Sequence, residues 1–265
     1  MRASLSIVTI LAGLAGVIAA HAADPQKSAH AVDARQAWEQ AVKAKGGRDR
    51  LRGVHALAIY MKPADVQLPG PFTNWLCVFP DRYFEYDGPG SGSYPFPGAN
   101  GFGVAGSPRV IVVDAGADRT AMDATGTPRT AWHPTPLERD RLVLNQIVFL
   151  LESAWVQPQP VEMRHNVLVV EAAGRSYRLS LNSAGLPERV VSPPIPGRKP
   201  KIQYAYRLQH YRDFEGVMLP ARVISTTGVR EWTWDVDYEI EAKYNPKLFE
   251  RMPDLSNGPE PWRMR

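Results

Sequence analysis

The sequence predicts an α+β fold in which an antiparallel β-sheet turns one apolar face towards covering helices. The clearest observation is the segment 231–241, where apolar and polar side chains alternate strictly. Successive side chains of a strand point to opposite faces, so this strand has an aromatic inner face and a charged outer face. Further alternating segments follow through tight turns, which is typical of an antiparallel meander. The inner positions are Trp232, Trp234, Val236, Tyr238 and Ile240.

The predicted domain begins with a helix over 33–45. Apolar residues recur in it at spacings of three and four, Asp33 is a suitable N-cap, and Gly46-Gly47 ends the helix. The residues at this spacing are Ala34, Trp38, Ala41, Val42 and Lys45. Strands are then predicted over 54–61, 72–79, 82–86, 109–113 and 119–122.

A second helix is predicted from Pro136 to Trp155. The sequence Thr135-Pro136-Leu137-Glu138 is a capping box with proline at the first helical position. The helix has a wide apolar face, so we expect it to lie across the apolar side of the sheet. That face comprises Leu137, Val143, Leu144, Ile147, Val148, Leu151 and Trp155. The later strands are predicted over 167–172, 177–181, 186–191, 202–211, 218–226 and 231–241.

Residues 1–22 match a secretory signal peptide. Arg2 gives a short basic start, an uncharged run follows, and Ala20-His21-Ala22 fits the cleavage pattern. The alternative is an uncleaved membrane anchor, since a spanning helix needs about 20 apolar residues. We therefore expect a secreted bacterial protein of the cell envelope, located in the periplasm. It would have one domain over 23–253, with a Gly/Pro-rich loop insertion at 88–108 and a flexible tail at 254–265.

The composition excludes some classes of function. The 31 Lys and Arg residues against 27 Asp and Glu give a formal net charge of +4 without a clustered basic stripe. No nucleic-acid binding is therefore predicted. The single cysteine, Cys77, forms no internal disulfide. It lies in an apolar strand segment, where a core residue is favoured over a reactive thiol.

No motif in the chain predicts catalysis, a cofactor or a metal site. Gly101 to Gly106 spells the dinucleotide-binding pattern, but it lacks the preceding strand and following helix that phosphate binding needs. The histidines have no metal-ligand spacing, and no G-x-S-x-G sequence occurs. Asp114, Asp118 and Asp123 lack the EF-hand spacing, so we assign them to turns and a solvated face.

The aromatic inner face is the candidate ligand site. Its side chains either form a core packed by the helices or line an apolar cavity, where the polar ends of Tyr and Trp also find partners. The candidate cavity residues are Trp75, Tyr204, Tyr206, Trp232, Trp234, Tyr238, Leu144, Val148 and Leu151. Three aromatic residues of the 88–108 loop could form a lid: Tyr94, Phe96 and Phe102. We expect the acidic outer row of 231–241 to pair with Lys201, Arg207 and Arg222 rather than to bind a partner.

Four segments occur in an order that is similar to one known family. They are Ala44-Lys45-Gly46-Gly47 with Leu51 following, then 181–189, 211–222 and 244–249. In this order they resemble the lipoprotein-carrier fold of periplasmic LolA/LolB-like proteins, the outer-membrane lipoprotein-sorting family. The resemblance implies a strongly curved antiparallel sheet, a half-barrel, with helices packed in its concave face and an apolar cavity between them. The 88–108 insertion and the greater length depart from the carriers, and no ligand-contacting residue is carried over.

The expected function follows from this resemblance. Members of the family carry lipid-modified proteins between membranes, bind other lipids or sense envelope stress. We expect a non-enzymatic periplasmic binding or carrier protein for a lipid, an acyl chain or a lipid-modified protein, with transient contact to a membrane surface. One alternative is a protein-interaction or stress-sensor module on the same fold. Another is an envelope hydrolase whose site is assembled from distant residues.

Overall fold

The computed structural model describes nine stretches of the chain: 25–64, 73–79, 81–87, 109–114, 119–123, 129–132, 136–194, 203–227 and 230–250. The predicted signal peptide, the 88–108 loop and the 254–265 tail lie outside these stretches. The lid residues Tyr94, Phe96 and Phe102 lie outside them as well, so their function stays a prediction. None of the helices within the described stretches is both long and apolar enough to cross a membrane.

The described strands form one antiparallel sheet of 13 strands with two open edges, and the sheet is curved. This confirms the predicted α+β half-barrel. The strands are β1 (Ala56–Pro63), β2 (Thr73–Val78), β3 (Arg82–Asp87), β4 (Arg109–Asp114), β5 (Arg119–Asp123), β6 (Arg129–Trp132), β7 (Gln159–Arg164), β8 (Val167–Ala172), β9 (Arg175–Leu181), β10 (Pro187–Val191), β11 (Tyr204–Phe214), β12 (Val217–Thr227) and β13 (Arg230–Ile240).

Two meanders make up this sheet. In each, strands that are consecutive in sequence are neighbours, so β1 to β6 form one half and β7 to β13 the other. The pair β1–β13 joins the halves, with Leu57 opposite Ile240 and Pro63 opposite Trp234. The aromatic strand β13 therefore lies in the middle of the sheet, between β1 and β12.

Within the described stretches, three α-helices and a 3₁₀ helix accompany the sheet: α1 (Pro25–Lys45), α2 (Arg48–Arg52), α3 (Pro136–Phe149) and the 3₁₀ helix Pro246–Phe249. Helix α1 begins eight residues before the predicted N-cap, so Asp33 is an exposed residue inside the helix and that prediction is wrong. Proline at the first helical position and the Ala-rich segment that follows favour this earlier start.

Helix α3 is shorter than predicted. It ends at Phe149, and Leu151 has a left-handed backbone with φ 66°. The side chain of Leu151 is nevertheless buried in the interior, as predicted. Trp155 does not belong to the apolar face: it is 46% exposed, and its ring meets the His55 imidazole edge to face at 5.6 Å.

Two strands were not expected from the sequence. Strand β6 has only four residues, which is too short for a period of two to be recognised. Strand β7 contains Pro160 and forms an edge of the sheet. Proline is tolerated there because an edge strand needs no donor on its open side.

Both faces of β1 to β4 are buried, which was not predicted from the sequence. The concave face carries the main core, which includes inner residues of both meanders together with α1 and α3. A second apolar cluster lies on the opposite face of β1 to β4, under the C-terminal 3₁₀ helix. It consists of Ala56, Ala58, Leu76, Val78, Phe84, Tyr86, Val112, Ala242, Leu248 and Phe249. Cys77 belongs to the main core, as predicted.

The outer face of β13 is hydrated and paired with basic side chains. Arg207 Nη2 lies 2.7 Å from Glu231 Oε1, and Arg222 Nη2 lies 2.9 Å from Asp235 Oδ1. These two pairs confirm the predicted neighbours, whereas Lys201 lies outside the described residues. Exposed pairs of this kind contribute little to stability, about 0–1 kcal/mol each.

Candidate functional site

The structure brings the nine predicted cavity residues into one contiguous apolar cluster on the concave face. Eight of the residues, all except Trp232, are buried, and Trp232 is half-buried and packs against the cluster. The strand residues come from β2, β11 and β13, and Leu144, Val148 and Leu151 come from α3 and its C-terminal extension. The sequence pattern therefore brought these side chains together, and their function as the lining of a ligand cavity stays a prediction.

A continuous row of aromatic rings lies between the sheet and α3. Phe149 at the end of α3 meets Trp75 edge to face at 6.3 Å and Tyr238 at 5.9 Å. Tyr238 in turn meets Phe214 at 5.0 Å. We call Trp75, Phe149, Tyr238 and Phe214 the aromatic row. Its contacts tie one helix to β2, β13 and the end of β11.

The polar ends of several interior aromatic side chains are satisfied inside the protein. Trp234 Nε1 donates to Ser225 Oγ at 3.2 Å, and the Tyr238 hydroxyl donates to the Pro220 carbonyl at 2.8 Å. The Tyr211 hydroxyl donates to the Pro187 carbonyl at 2.6 Å. Burial raises the pKa of Tyr238 well above its ordinary value, so this hydroxyl stays a hydrogen-bond donor.

Two buried polar groups of the interior have no hydrogen-bond partner within the described part of the chain. These are Lys45 Nζ and the Tyr177 hydroxyl. Lys45 is fully buried, and its ammonium nitrogen lies 5.2 Å from the centroid of the Tyr211 ring. Burial lowers the pKa of Lys45 to about 7 and raises the pKa of Tyr177 to about 12. Unpaired groups of this kind are unusual in a dry core, because each loses its hydration without compensation.

Three turns surround the end of α1, where Lys45 lies. Gly46 has φ 128°, and a Cβ there would collide with the Gly216 carbonyl oxygen. Gly185 faces the Gln40 carbonyl, and a Cβ added at Gly185 would lie 3.6 Å from that oxygen. Arg50 Nε, from the next helix, donates to the Glu215 carbonyl at 2.8 Å. The turns at 46–47, 182–185 and 215–216 belong to three of the four family-like segments. These three segments therefore pack together at the C-terminal end of α1.

A buried carboxylate fixes the chain just after α3. Glu152 accepts from Trp38 Nε1 at 3.3 Å and from Arg52 Nε at 3.1 Å, and Arg48 Nε lies 3.1 Å away. Glu152 is 2% exposed, whereas each arginine side chain is 33% exposed and keeps part of its hydration. The network links the C-terminal end of α3 to α1 and α2.

Both long helices contact the sheet. Helix α1 brings its backbone close to β7, β8 and β12. Helix α3 meets the sheet through the Phe149 ring, which contacts Trp75 and Tyr238.

The described sheet and helices form an α+β half-barrel. The structure is similar to a LolA superfamily protein, NE2245 from Nitrosomonas europaea, with a TM-score of 0.44 and 14% identity over 82% of this chain and 97% of that one. It is also similar to a DUF1329 family protein from Desulfovibrio piger, with a TM-score of 0.45 and 8% identity over 82% and 97%. No family model matches the sequence, and no curated protein matches it significantly. The sheet and helices described above carry the fold assignment, and no function is transferred from these structures.

A histidine–carboxylate pair is present, but it lies on the surface. His55 Nδ1 lies 3.6 Å from Glu241 Oε1, and the side chains are 61% and 44% exposed. The His55 backbone N–H also donates to this carboxylate at 2.6 Å. The described residues contain no group of three or more His, Cys, Asp or Glu placed to hold a metal ion. The pair thus has the setting of a surface ion pair rather than of a polar cleft.

Sequence reasoning missed Phe149, Phe214 and Lys45. Phe149 adjoins the predicted apolar face of α3, and Phe214 ends β11 beside its turn. A usable signal existed for Lys45, because it continues the apolar spacing of α1. A lysine at an apolar-face position indicates either a stem lying along the surface or a buried amine.

Proposed function

We propose that this protein is a non-enzymatic binding or carrier protein of the bacterial cell envelope that takes an acyl chain into its concave interior. One observation carries the proposal. The aromatic row joins the end of α3 to the inner face of the sheet through the contacts of Phe149 with Trp75 and Tyr238. Apolar burial of about 25 cal/mol per Å² would drive an acyl chain into the same space. The ligand is a lipid, an acyl chain or the lipid group of a modified protein.

The Phe149 side chain is the element that yields in this proposal. The C-terminal end of α3 is tied to α1 and α2 through Glu152, so the backbone next to Phe149 would stay in place. The Phe149 ring would rotate away from Trp75 and Tyr238, and an acyl chain would take its place. Segments that open for ligands come from the least densely packed parts of a fold.

Quenching of tryptophan fluorescence by 12-bromododecanoate tests the proposal on the full chain. Bromine quenches only rings that it touches, so a chain in the interior quenches Trp75. We expect saturable quenching, a large part of which is lost in Trp75→Phe. The matched control is Trp155→Phe, which removes a 46% exposed ring outside the interior and should leave the saturable part unchanged.

Two results would contradict acyl binding in the interior. Quenching that rises linearly with ligand and never saturates would indicate collisions in solution. Saturable quenching that disappears in Trp155→Phe and persists in Trp75→Phe would place the ligand on the outer surface. Circular dichroism of both variants verifies that each substitution leaves the fold intact.

A further inference from the structure

Lys45 is a buried amine that no described residue pairs. Its side chain is fully buried, and Nζ has no hydrogen-bond acceptor among the described residues. Its described contact is the Tyr211 ring, 5.2 Å from Nζ. The Tyr211 hydroxyl is already committed as a donor to the Pro187 carbonyl at 2.6 Å. A group like this costs several kcal/mol to bury, and the nearby rings compensate only part of that cost.

The aromatic row leads to this amine. Tyr211 is the cross-strand partner of Pro220, and the Pro220 carbonyl accepts a hydrogen bond from the Tyr238 hydroxyl at 2.8 Å. Tyr238 meets Phe149, and Phe149 meets Trp75. A continuous series of aromatic side chains therefore runs from the contact of α3 on β2 to the amine at the end of α1. An amphiphile lying along this series would have its apolar part on the rings and its polar end at Lys45.

We propose that Lys45 binds the carboxylate of a fatty-acid-like amphiphile whose chain lies along the aromatic row. This inference rests on the proposed function and adds the chemical class of the ligand's head group. The carboxylate supplies the acceptor that Nζ lacks, and its negative charge offsets the cost of a buried ammonium. Burial lowers the pKa of Lys45 to about 7, and a bound carboxylate would shift that pKa back upward.

A single carboxylate fits this site better than a phosphate group does. One amine carries one positive charge, whereas phosphates are usually bound by several donors or by the fork of an arginine. The nearby arginines are engaged elsewhere. Arg50 Nε donates to the Glu215 carbonyl at 2.8 Å, and the Arg212 guanidinium lies over the Phe214 ring at 5.5 Å.

The surroundings of Lys45 hold it in place. Gly46 lies against the Gly216 carbonyl, and the Gly216 N–H donates to Asp213 Oδ1 at 2.7 Å. Asn182 Oδ1 accepts from the N–H groups of Ala184 and Leu186, each at 3.0 Å. These turns fix the end of α1 in advance of binding, which preserves affinity because little ordering is left to do.

The test compares dodecanoate with methyl dodecanoate at pH 8, below micelle-forming concentrations, by saturable tryptophan quenching or calorimetry on the full chain. We expect the acid to bind the unaltered protein at least about 10-fold more tightly than the ester, as one charge-assisted hydrogen bond implies. In Lys45→Met this preference should fall to about 1, with the ester bound as before. Lys43→Met changes an exposed lysine of the same helix and should keep the preference.

Each outcome decides one point. Equal affinity for acid and ester in the unaltered protein would overturn the assignment of Lys45 while leaving acyl binding in place. Failure of both molecules to bind would overturn the proposed function itself. Competition by acetate or inorganic phosphate as strong as that by dodecanoate would show that the anion alone is recognised, contrary to an amphiphile site. Methionine has a similar length and suits an apolar interior, and circular dichroism verifies the fold of Lys45→Met.

Discussion

Replacing Lys45 by methionine should change how the stability of the protein depends on pH. The amine is fully buried, and burial lowers its pKa from the ordinary value of 10.5 to about 7. The folded protein therefore prefers the neutral amine, whereas the unfolded chain binds a proton up to the ordinary pKa. Burial of Lys45 therefore has no proton-linked cost above pH 10.5. As the pH falls from 10.5 towards 7, this cost grows and the free energy of unfolding decreases.

The magnitude follows from the separation of the two pKa values. One unit corresponds to about 1.4 kcal/mol, so the full separation corresponds to about 5 kcal/mol. Across the two units from pH 7.5 to 9.5 the free energy of unfolding should rise by about 3 kcal/mol through Lys45. Above pH 10 the opposite effect begins, because burial raises the pKa of Tyr177 to about 12 and ionisation then favours the unfolded chain.

Urea denaturation of the ligand-free protein and of Lys45→Met at several pH values between 7.5 and 9.5 measures this effect. The difference between the two free energies cancels the other titrating groups. We expect Lys45→Met to be the more stable protein at pH 7.5, with the gap narrowing by about 1.4 kcal/mol per unit. A gap that stays constant within about 0.5 kcal/mol would refute a buried amine with a lowered pKa. Lys43→Met should follow the unaltered protein.

Two further predictions concern the ends of the helices. Gly46→Ala should destabilise the protein by more than about 2 kcal/mol, because the new Cβ collides with the Gly216 carbonyl. Gly47→Ala, where a Cβ meets no atom within 4 Å, should cost less than Gly46→Ala, because only the strain of a backbone with φ 86° and ψ 154°, about 1–3 kcal/mol, is added; equal losses in urea denaturation would exclude the collision. Glu152→Gln should cost about 2–3 kcal/mol, because it weakens charged hydrogen bonds to a buried carboxylate. The exposed Glu39→Gln should cost under about 1 kcal/mol in the same urea denaturation series, and a larger loss than that of Glu152→Gln would contradict the importance of the buried network.

Most of the correct fold prediction came from the alternation of apolar and polar residues with a period of two. Strand β13 alternates over its whole length, so its inner and outer faces could be assigned residue by residue. The same rule fails where both faces are buried. The runs 56–59 and 75–78 are almost continuously apolar, and the cover on their outer side comes from the distant 3₁₀ helix 246–249. Such runs do indicate two buried faces, but they do not tell which element covers the second one.

The sequence predicted on which face of the sheet the candidate site lies, but it did not predict the contacts between the site residues. Trp75 and Tyr238 could be placed on the interior side from alternation alone. Their joint contact with Phe149 depends on where α3 crosses the sheet, which no local pattern encodes. That Lys45 has no partner in the described stretches depends on the orientation of each neighbouring donor and acceptor. Local periodicity contains no such information, because partners in tertiary structure come from separate segments.

The pairing of β1 with β13 has a consequence for how the chain folds. Hairpins within each meander form between neighbours in sequence, so both halves can begin independently and early. The joint between Leu57 and Ile240 closes a loop that includes almost the whole domain, and its entropic cost makes it a late, slow event. Until then each half exposes an unpaired strand at what becomes the centre of the sheet. Two chains caught at this stage could exchange these strands, so a domain-swapped dimer is the natural misfolded product of this topology.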